Sequence, residues 1–499
     1  MPSRLLHLTR SGPDEVTGAL AALRAELRVP SMFPAEVRAE AEEAARSGGR
    51  PPAAITGGRK DPVRSDRRDV ELVTIDPAGS MDLDQAVHVA SSGRGYIVRY
   101  AIADVAAFVE PDGPLDAETH RRGATVYGPD VRTPMLPPVL STGAASLLPD
   151  QDRPAVLWTI ALDPSGEITS AAVTRALVRS RARITYGEAQ SSLDAGLAPE
   201  SLTLLADVGR LRQERERARG GVSLDVPEQE VVPGPDGGLA IEMRRTLPVE
   251  GWNAQISLLT GIAAAAMMRD AGVGLLRTLP EPEPRDVARL HGVAAALGVT
   301  WPDGVPYAEV LRTLESGKPA HAAFLAEATS LFRGAGYLAF GVRGDGAEQS
   351  LPADAAHAAI AAEYAHVTAP LRRLADRYAT EVCLAHAAGR PVPGWVRDAL
   401  PELPGTMATT ARRASRFERG CVDVVEAALL EGRVGERFSG VVVDVDDAPD
   451  DGVGRGEVML RDPAVRAPLE GAGLPLGQRV DVILKEASVA DRRVRFALA

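Results

Sequence analysis

The chain has 499 residues, 45% hydrophobic and 25% charged. It is too long for one core and too apolar for a disordered chain, so two to four domains are expected. Lys and Arg number 56 against 68 Asp and Glu, a formal net charge of −12, which disfavours a general nucleic-acid coat protein but leaves room for a local basic channel. Cys383 and Cys421 are the two cysteines and exclude a disulfide framework or a four-cysteine zinc site. The start has no apolar run of signal-peptide length. The longest apolar stretch, 258–268, is broken by Thr260 and Gly261 and is too short for a bilayer, so a cytoplasmic chain without membrane association is expected. Lysine occurs only at Lys60, Lys318 and Lys485. The arginine that replaces it offers planar phosphate binders, although a GC-rich genome produces the same bias.

In chain order, residues 14–27 place Val16, Leu20, Leu23 and Leu27 at helical spacing after Ser11 and Pro13. Pro34 opens a second helix over 36–46 that stops at Gly48-Gly49, and a Gly/Pro-rich linker comes next. Residues 1–66 therefore read as a small helical segment that docks on the domain after it. VELVTID and YIVRYAIADV, separated by SSGRG, read as strands, and an α+β texture continues to about residue 185. Residues 200–430 are Ala-rich and helical, with Pro/Gly breaks. From Gly435, FSGVVVDVD, GEVMLRD, QRVDVIL and RRVRFALA suggest a five-stranded OB-fold β-barrel. The expected class is α+β, divided into 1–66, 67–432 and 433–499.

Three constellations carry candidate chemistry. In TIDPAGSMDLDQ, a strand ends on Asp76 and a turn leads to Asp82 and Asp84 at i and i+2. In an extended stretch those two share a side and can fold back toward Asp76. Three converging carboxylates suit Mg²⁺ or Mn²⁺ completed by phosphate oxygens; a solvated acidic turn is the alternative. In YAHVTAPLRRLADR, Pro370 suits a first helical turn, with Thr368 as cap and Arg372 and Arg373 just inside, an anion site at a helix start. The alternative is pairing of Arg372 with Asp376 at i+4. In RRGATVYGPDVRTP, Arg122, Tyr127 and Arg132 suit a loop that presents an aromatic face and guanidinium groups to a single strand, against a purely structural tyrosine. Arg175, Arg179, Arg181 and Arg183 run beside Tyr186 and either line a groove or face solvent. No P-loop, HExxH, CxxC or GxSxG motif is present.

TIDPAGSMDLDQAVHV, YAIADVAAFV, RRGATVYGPDVRTPMLPPVLSTGAASLLPDQDRPAV, SRARITYGEAQ and YAHVTAPLRRLADRYATEV, in this order, resemble the catalytic domain of the RNase II/RNB exoribonucleases over roughly residues 66–430. The resemblance implies an RNB catalytic domain of mixed sheet and helices. The implied activity is metal-dependent hydrolysis of single-stranded RNA from the 3′ end to 5′-mononucleotides by a monomer, with Mg²⁺, or Mn²⁺ in its place. Asp76, Asp82 and Asp84 fall on three of four acidic positions that hold metal. The fourth is Gln85, which keeps a carbonyl oxygen but loses a charge, so Gln85→Asp is expected to lower the Mg²⁺ requirement. Asp84 and Arg372 become the catalytic candidates, with Arg372 facing the scissile phosphate. Tyr127 stacks near the RNA 3′ end, and Arg122, Arg132, Arg373 and Tyr364 are further RNA-binding candidates. The family's Ser-Pro-Ile-Arg segment reads Ala369-Pro370-Leu371-Arg372 here, and no second stacking aromatic is placed. Pro248-Val249-Glu250-Gly251-Trp252-Asn253 resembles the family's glutamate-rich helix near the channel. The helical start stands where members carry cold-shock domains, and the tail resembles a reduced S1-type domain. A catalytically weakened RNA-binding protein of the same fold and a phosphoesterase for small nucleotides are the rival readings.

Overall fold

The computed structural model describes residues 14–49, 64–224, 228–233, 239–244, 246–315, 318–344, 347–348, 350–352, 355–445, 454–460, 463 and 465–499. Most of the expected linker, from residue 50 to 58, lies outside the described residues. Among them no helix is long and apolar enough to cross a membrane.

The helix Asp14–Glu26 buries Val16, Leu20 and Leu23, as its spacing predicts, and packs on the long helix Leu403–Leu430. Gly420 makes the close approach possible, since a Cβ there would lie 2.7 Å from Leu23. The second helix, Ala35–Ser47, seats Val37 and Ala41 against the helix Pro114–Arg122 and ends at Gly48 with φ +70°.

The central sheet comprises β1 (Ser65–Asp66), β2 (Leu72–Asp76), β3 (Gln85–Ser92), β4 (Gly95–Ala103), β7 (Asp152–Leu162) and β8 (Ile168–Thr185); β5 (Val126–Tyr127) and β6 (Arg132–Thr133) form a separate short ribbon. The order is β1-β8-β2-β3-β4-β7, and β7 also pairs with the first part of β8. The 18-residue β8 thus serves both ends of the row. Alternation drives this arrangement: Val87, Val98, Tyr100, Trp158 and Ile160 share one face of the sheet and belong to one buried core. The helices Glu200–Arg219, Pro248–Ala271 and Leu374–Ala387 cover the sheet. The Ala-rich region is not wholly helical, because Gly274–Thr278 pairs with Gly336–Phe340 and Glu228–Pro233 with Leu239–Arg244.

The tail forms a closed five-stranded barrel, Arg437–Val445, Gly454–Leu460, Arg466–Gly471, Arg479–Ser488 and Arg493–Leu498. The third and fifth strands pair parallel and the other pairings are antiparallel, an OB-like topology. Phe438 and Phe496 meet edge to face inside it at 5.7 Å, so both aromatics of the tail are core.

The expected helix start at Pro370 is corrected. The helix begins at Leu374, and residues 368–373 form a turn ahead of it. Two carboxylates take the backbone donors of that turn: Asp84, from the segment before β3, accepts from the Leu371 N–H at 2.8 Å, and Asp376, in the first turn of the helix, accepts from the Ala369 N–H at 2.7 Å. Arg372 and Arg373 therefore precede the helix.

Candidate active site

Leu83, fully buried, anchors the turn between β2 and β3 and turns Asp82 and Asp84 the other way. The turn is fixed by the Ser146 hydroxyl, which accepts from the Leu83 N–H (2.9 Å) and donates to the Met81 carbonyl (2.7 Å). Asp76 closes β2 level with Thr185 of β8, whose side chain caps the helix Tyr186–Asp194 in a capping box with Glu188.

Asp84, 5% exposed at its side chain, pairs with Arg372 at 3.3 Å besides accepting from Leu371. Burial lifts its carboxyl to about 7, against the pull of Arg372 and the Leu371 N–H. Burial lifts Asp76 to about 6, with Arg372 opposing and Asp82 adding to the rise. Asp82 is ion-paired with Arg132. Burial opposes the charge of Arg372, but Asp84 and Tyr127 outweigh it and its pKa is raised. Yet the Arg372 side chain is 49% exposed. The guanidinium is thus half reachable by solvent although its surroundings desolvate it. It donates to the hydroxyl of half-buried Tyr127, whose pKa burial raises.

The structure thus gathers Asp76, Asp82, Asp84, Arg372, Tyr127 and Arg132. It does not draw the three aspartates into one cage: among the described residues no group of three or more His, Cys, Asp or Glu side chains is placed to hold a metal. The reason is that Arg132 and Arg372 each claim a carboxylate. The donor set still fits Mg²⁺, which takes one or two carboxylates and lets substrate phosphates complete its shell.

Three predicted residues are placed elsewhere. Arg122 is 1% exposed and bonded to Glu118 and to the carbonyls of Pro30, Met32 and Pro134, so it cannot reach a strand. Tyr364, 6% exposed, packs its ring on Gly261, where any side chain would overlap it. Arg373 is bound by both oxygens of the fully buried Asp376. Asp376 therefore serves Arg373 and not Arg372.

Gln85 faces inward. Its Nε2 donates to the Thr368 carbonyl and its Oε1 accepts from the Tyr100 hydroxyl, both at 2.6 Å. Tyr100 also meets the Ser257 hydroxyl at 2.8 Å. Both ends of the amide are engaged, which corrects its reading as a metal ligand.

Sequence reasoning named Tyr186 beside an arginine run and Asn253 in the helix near the channel, but it did not place them together beside Asp76. Burial pushes the Tyr186 hydroxyl up to about 12, with Asp76 adding to it, and the hydroxyl is hydrogen-bonded to Asn253. Asn253 is buried on the helix Pro248–Ala271. The placement of Tyr186 directly after a strand end, with Glu188 completing a capping box, was the available signal.

Residues 64–386 match the RNB domain family, and 436–499 match the RNase II-type exonuclease C-terminal S1 domain. The chain belongs to the RNB family. Ribonuclease R of Escherichia coli (strain K12) is 26% identical, over 87% of this chain and 57% of that protein, and Ribonuclease R of Aquifex aeolicus is 27% identical over 77% and 55%. This RNB chain spans about half the length of the curated relatives it matches. Among solved structures, Mycoplasma genitalium RNase R in complex with ribose methylated single-stranded RNA superimposes with a TM-score of 0.81 at 20% identity, over 97% of this chain and 78% of that one. Yeast Ssd1, described as a pseudonuclease, gives 0.64 at 15% identity over 86% and 52%. These likenesses establish the fold.

Proposed function

We propose that this RNB chain is a hydrolytic 3′→5′ exoribonuclease that shortens single-stranded RNA to 5′-mononucleotides. In this reading 1–66 is a helical N-terminal segment, 67–432 the catalytic unit and 433–499 an S1-type barrel. The observation that carries the proposal is the Asp84–Arg372–Tyr127 constellation: a half-exposed guanidinium held by a buried carboxylate and a tyrosine. Such a group, fixed before substrate arrives, stabilises charge that develops on a phosphate. RNA-bound relatives of the same fold and the Ribonuclease R sequences support RNA as the polymer.

Arg372 would bind the non-bridging oxygens of the terminal phosphodiester, and Asp84 would keep it aimed. Tyr127 would lie against the terminal bases, its hydroxyl tied to Arg372. Tyr186 and Asn253 would border the same site beside Asp76. Asp76, Asp82 and Asp84 would hold Mg²⁺, or Mn²⁺, together with RNA phosphate oxygens. When bound, that cation supplies Lewis acidity for attack of water on phosphorus.

One observation favours a second reading, an RNA-binding protein of weakened activity: the fourth acidic position is an amide with both ends engaged, and one fold relative is a pseudonuclease. End-labelled single-stranded RNA incubated with pure protein, with Mg²⁺ or with EDTA, separates the two. Mononucleotide release that needs the cation supports the exonuclease, whereas binding with no product supports the rival.

A further inference from the structure

The Tyr127 loop is held from behind by the N-terminal segment. Arg24 ends the first helix, and its Nη1 donates to Asp130 Oδ2 at 2.9 Å while Nη2 donates to the other Asp130 oxygen. Nη2 also reaches the Val131 carbonyl at 3.3 Å. The guanidinium lies 5.2 Å from the centroid of Phe417, and Arg24 and Asp130 are largely buried, at 14% and 17% side-chain exposure. Gly128 has little room for a side chain, because a Cβ there would sit 2.9 Å from the Val131 carbonyl oxygen as well as 2.6 Å from Arg24 Nη2. Immediately upstream, Arg122 enters the loop with its guanidinium against the Phe33 ring (3.7 Å) and bonded to the carbonyls of Pro30 (3.1 Å) and Met32 (2.8 Å).

Between those anchors lies Tyr127, bonded to Arg372, and directly after the second comes Arg132, paired with Asp82. The helix that carries Arg24 is itself fixed. Its apolar face shares one core with Val126, with Phe417 and Cys421 of the long helix, and with the barrel; Glu26 also pairs with Arg492 of the barrel at 2.7 Å.

We propose that Arg24, with the Pro30 and Met32 carbonyls, is a clamp that positions the Tyr127–Arg132 loop for RNA, making the N-terminal segment a working part of the site. Arg24 is a positioning residue and touches no substrate. The mechanism is geometric: a bidentate arginine fixes both the distance and the plane of its carboxylate partner, so Asp130 cannot swing and the backbone from Tyr127 to Arg132 keeps its course. The inference rests on the exoribonuclease reading for its kinetic consequences only.

The test uses the full chain and the variants Arg24→Gln, Asp130→Asn, their combination, and the exchanged pair Arg24→Asp/Asp130→Arg. Hydrogen exchange of the amides of residues 126–133 is read first, since it needs no catalysis. Faster exchange there in each single variant, with no further gain in the combination and partial recovery in the exchanged pair, is expected. On single-stranded RNA, KM should rise about tenfold while kcat stays within roughly twofold, because Asp84 and Arg372 are untouched. If Arg24→Gln fails to fold, Asp130→Asn, which changes only the loop side, carries the same expectations. Unchanged exchange at 126–133, or effects of the two single variants that simply add, overturns the clamp. Altered exchange in a protein that releases no mononucleotide keeps the clamp and overturns the exoribonuclease reading instead.

Discussion

Replacing Gln85 tests how the site is built, because the structure and the family resemblance predict opposite outcomes. The Thr368 carbonyl can only accept, so the amide nitrogen must face it and the amide oxygen must face Tyr100. Tyr100 then spends its one proton on Gln85, and the Ser257 hydroxyl donates to Tyr100. The chain of donors runs Ser257, Tyr100, Gln85, Thr368 in one direction, and Tyr100 is only 1% exposed. Gln85→Leu keeps the volume and removes both bonds, about 1 kcal/mol each, and leaves a carbonyl unsatisfied at about 1–3 kcal/mol more, a total of roughly 3–5 kcal/mol. Gln85→Asp is one methylene shorter and, ionised, sets a carboxylate toward the Thr368 carbonyl, so it should lose about as much. Thermal unfolding without divalent cation measures the loss, and a Mg²⁺ titration of RNA hydrolysis measures the metal. Both variants should melt earlier than the parent chain, and the Gln85→Asp titration should not move to lower Mg²⁺. A Gln85→Asp protein of undiminished stability that needs less Mg²⁺ would refute the argument and restore position 85 to the metal site.

Three further outcomes rest on the same geometry. Asp84→Asn should abolish mononucleotide release while single-stranded RNA binding, tracked by anisotropy, changes little; retained release removes Asp84 from the mechanism. Arg372→Lys keeps the charge but loses the fork, and kcat should fall by about 10²–10³; a loss confined to KM would mean that Arg372 only binds. Burial, helped by Arg277, lowers the His357 imidazole to about 4, so between pH 6.5 and 4 the unfolded chain takes a proton that the folded chain refuses. The His357 contribution to stability is then full above pH 6.5 and declines as pH falls toward 4, by about 3 kcal/mol, while the raised carboxyls of Asp76 and Asp84 act in the opposite sense. His357→Gln should flatten the slope of urea midpoint against pH over that range, leaving the part due to His366, which burial holds well below its usual value; an unaltered slope rejects the assignment.

Much of the fold was legible because the signals were local. Val16, Leu20 and Leu23 sit at helical spacing and are buried, and the tail strands alternate and close into the expected barrel. The errors have a common cause, competition from groups distant in sequence. Pro370 looked like a helix opener, but residues 123–125, far away in sequence, pair with the backbone of Arg372 and Leu374, and the helix begins only at Leu374. Arg122 looked like a loop arginine open to RNA; the carbonyls of Pro30 and Met32, supplied by the N-terminal segment, draw it inside. Gln85 was read from an acidic pattern, and the Tyr100 hydroxyl that captures it shows no pattern in one dimension. The structure brings Asp84, Arg372 and Tyr127 together because the segment before β3, a turn and a short ribbon each present one side chain.

The departures at positions 85 and 369 are absorbed because the site is fastened largely through backbone. Three separate segments meet there: the acidic turn, the Tyr127 loop and the turn that carries Arg372. The Thr125 N–H donates to the Arg372 carbonyl and the Leu374 N–H to the Gly123 carbonyl, both at 3.0 Å. The Leu371 N–H donates to Asp84, and the Thr368 carbonyl accepts from Gln85. Backbone groups are supplied by any residue, so Ala369 can stand where the family has serine: its N–H is taken by Asp376 and its side chain is buried, and the turn keeps its form without a hydroxyl. In the proposed exoribonuclease reading, the side chains at Asp84, Arg372 and Tyr127 are the ones this scaffold cannot replace. Each offers the site a group that no backbone atom supplies: a carboxylate, a guanidinium and an aromatic face.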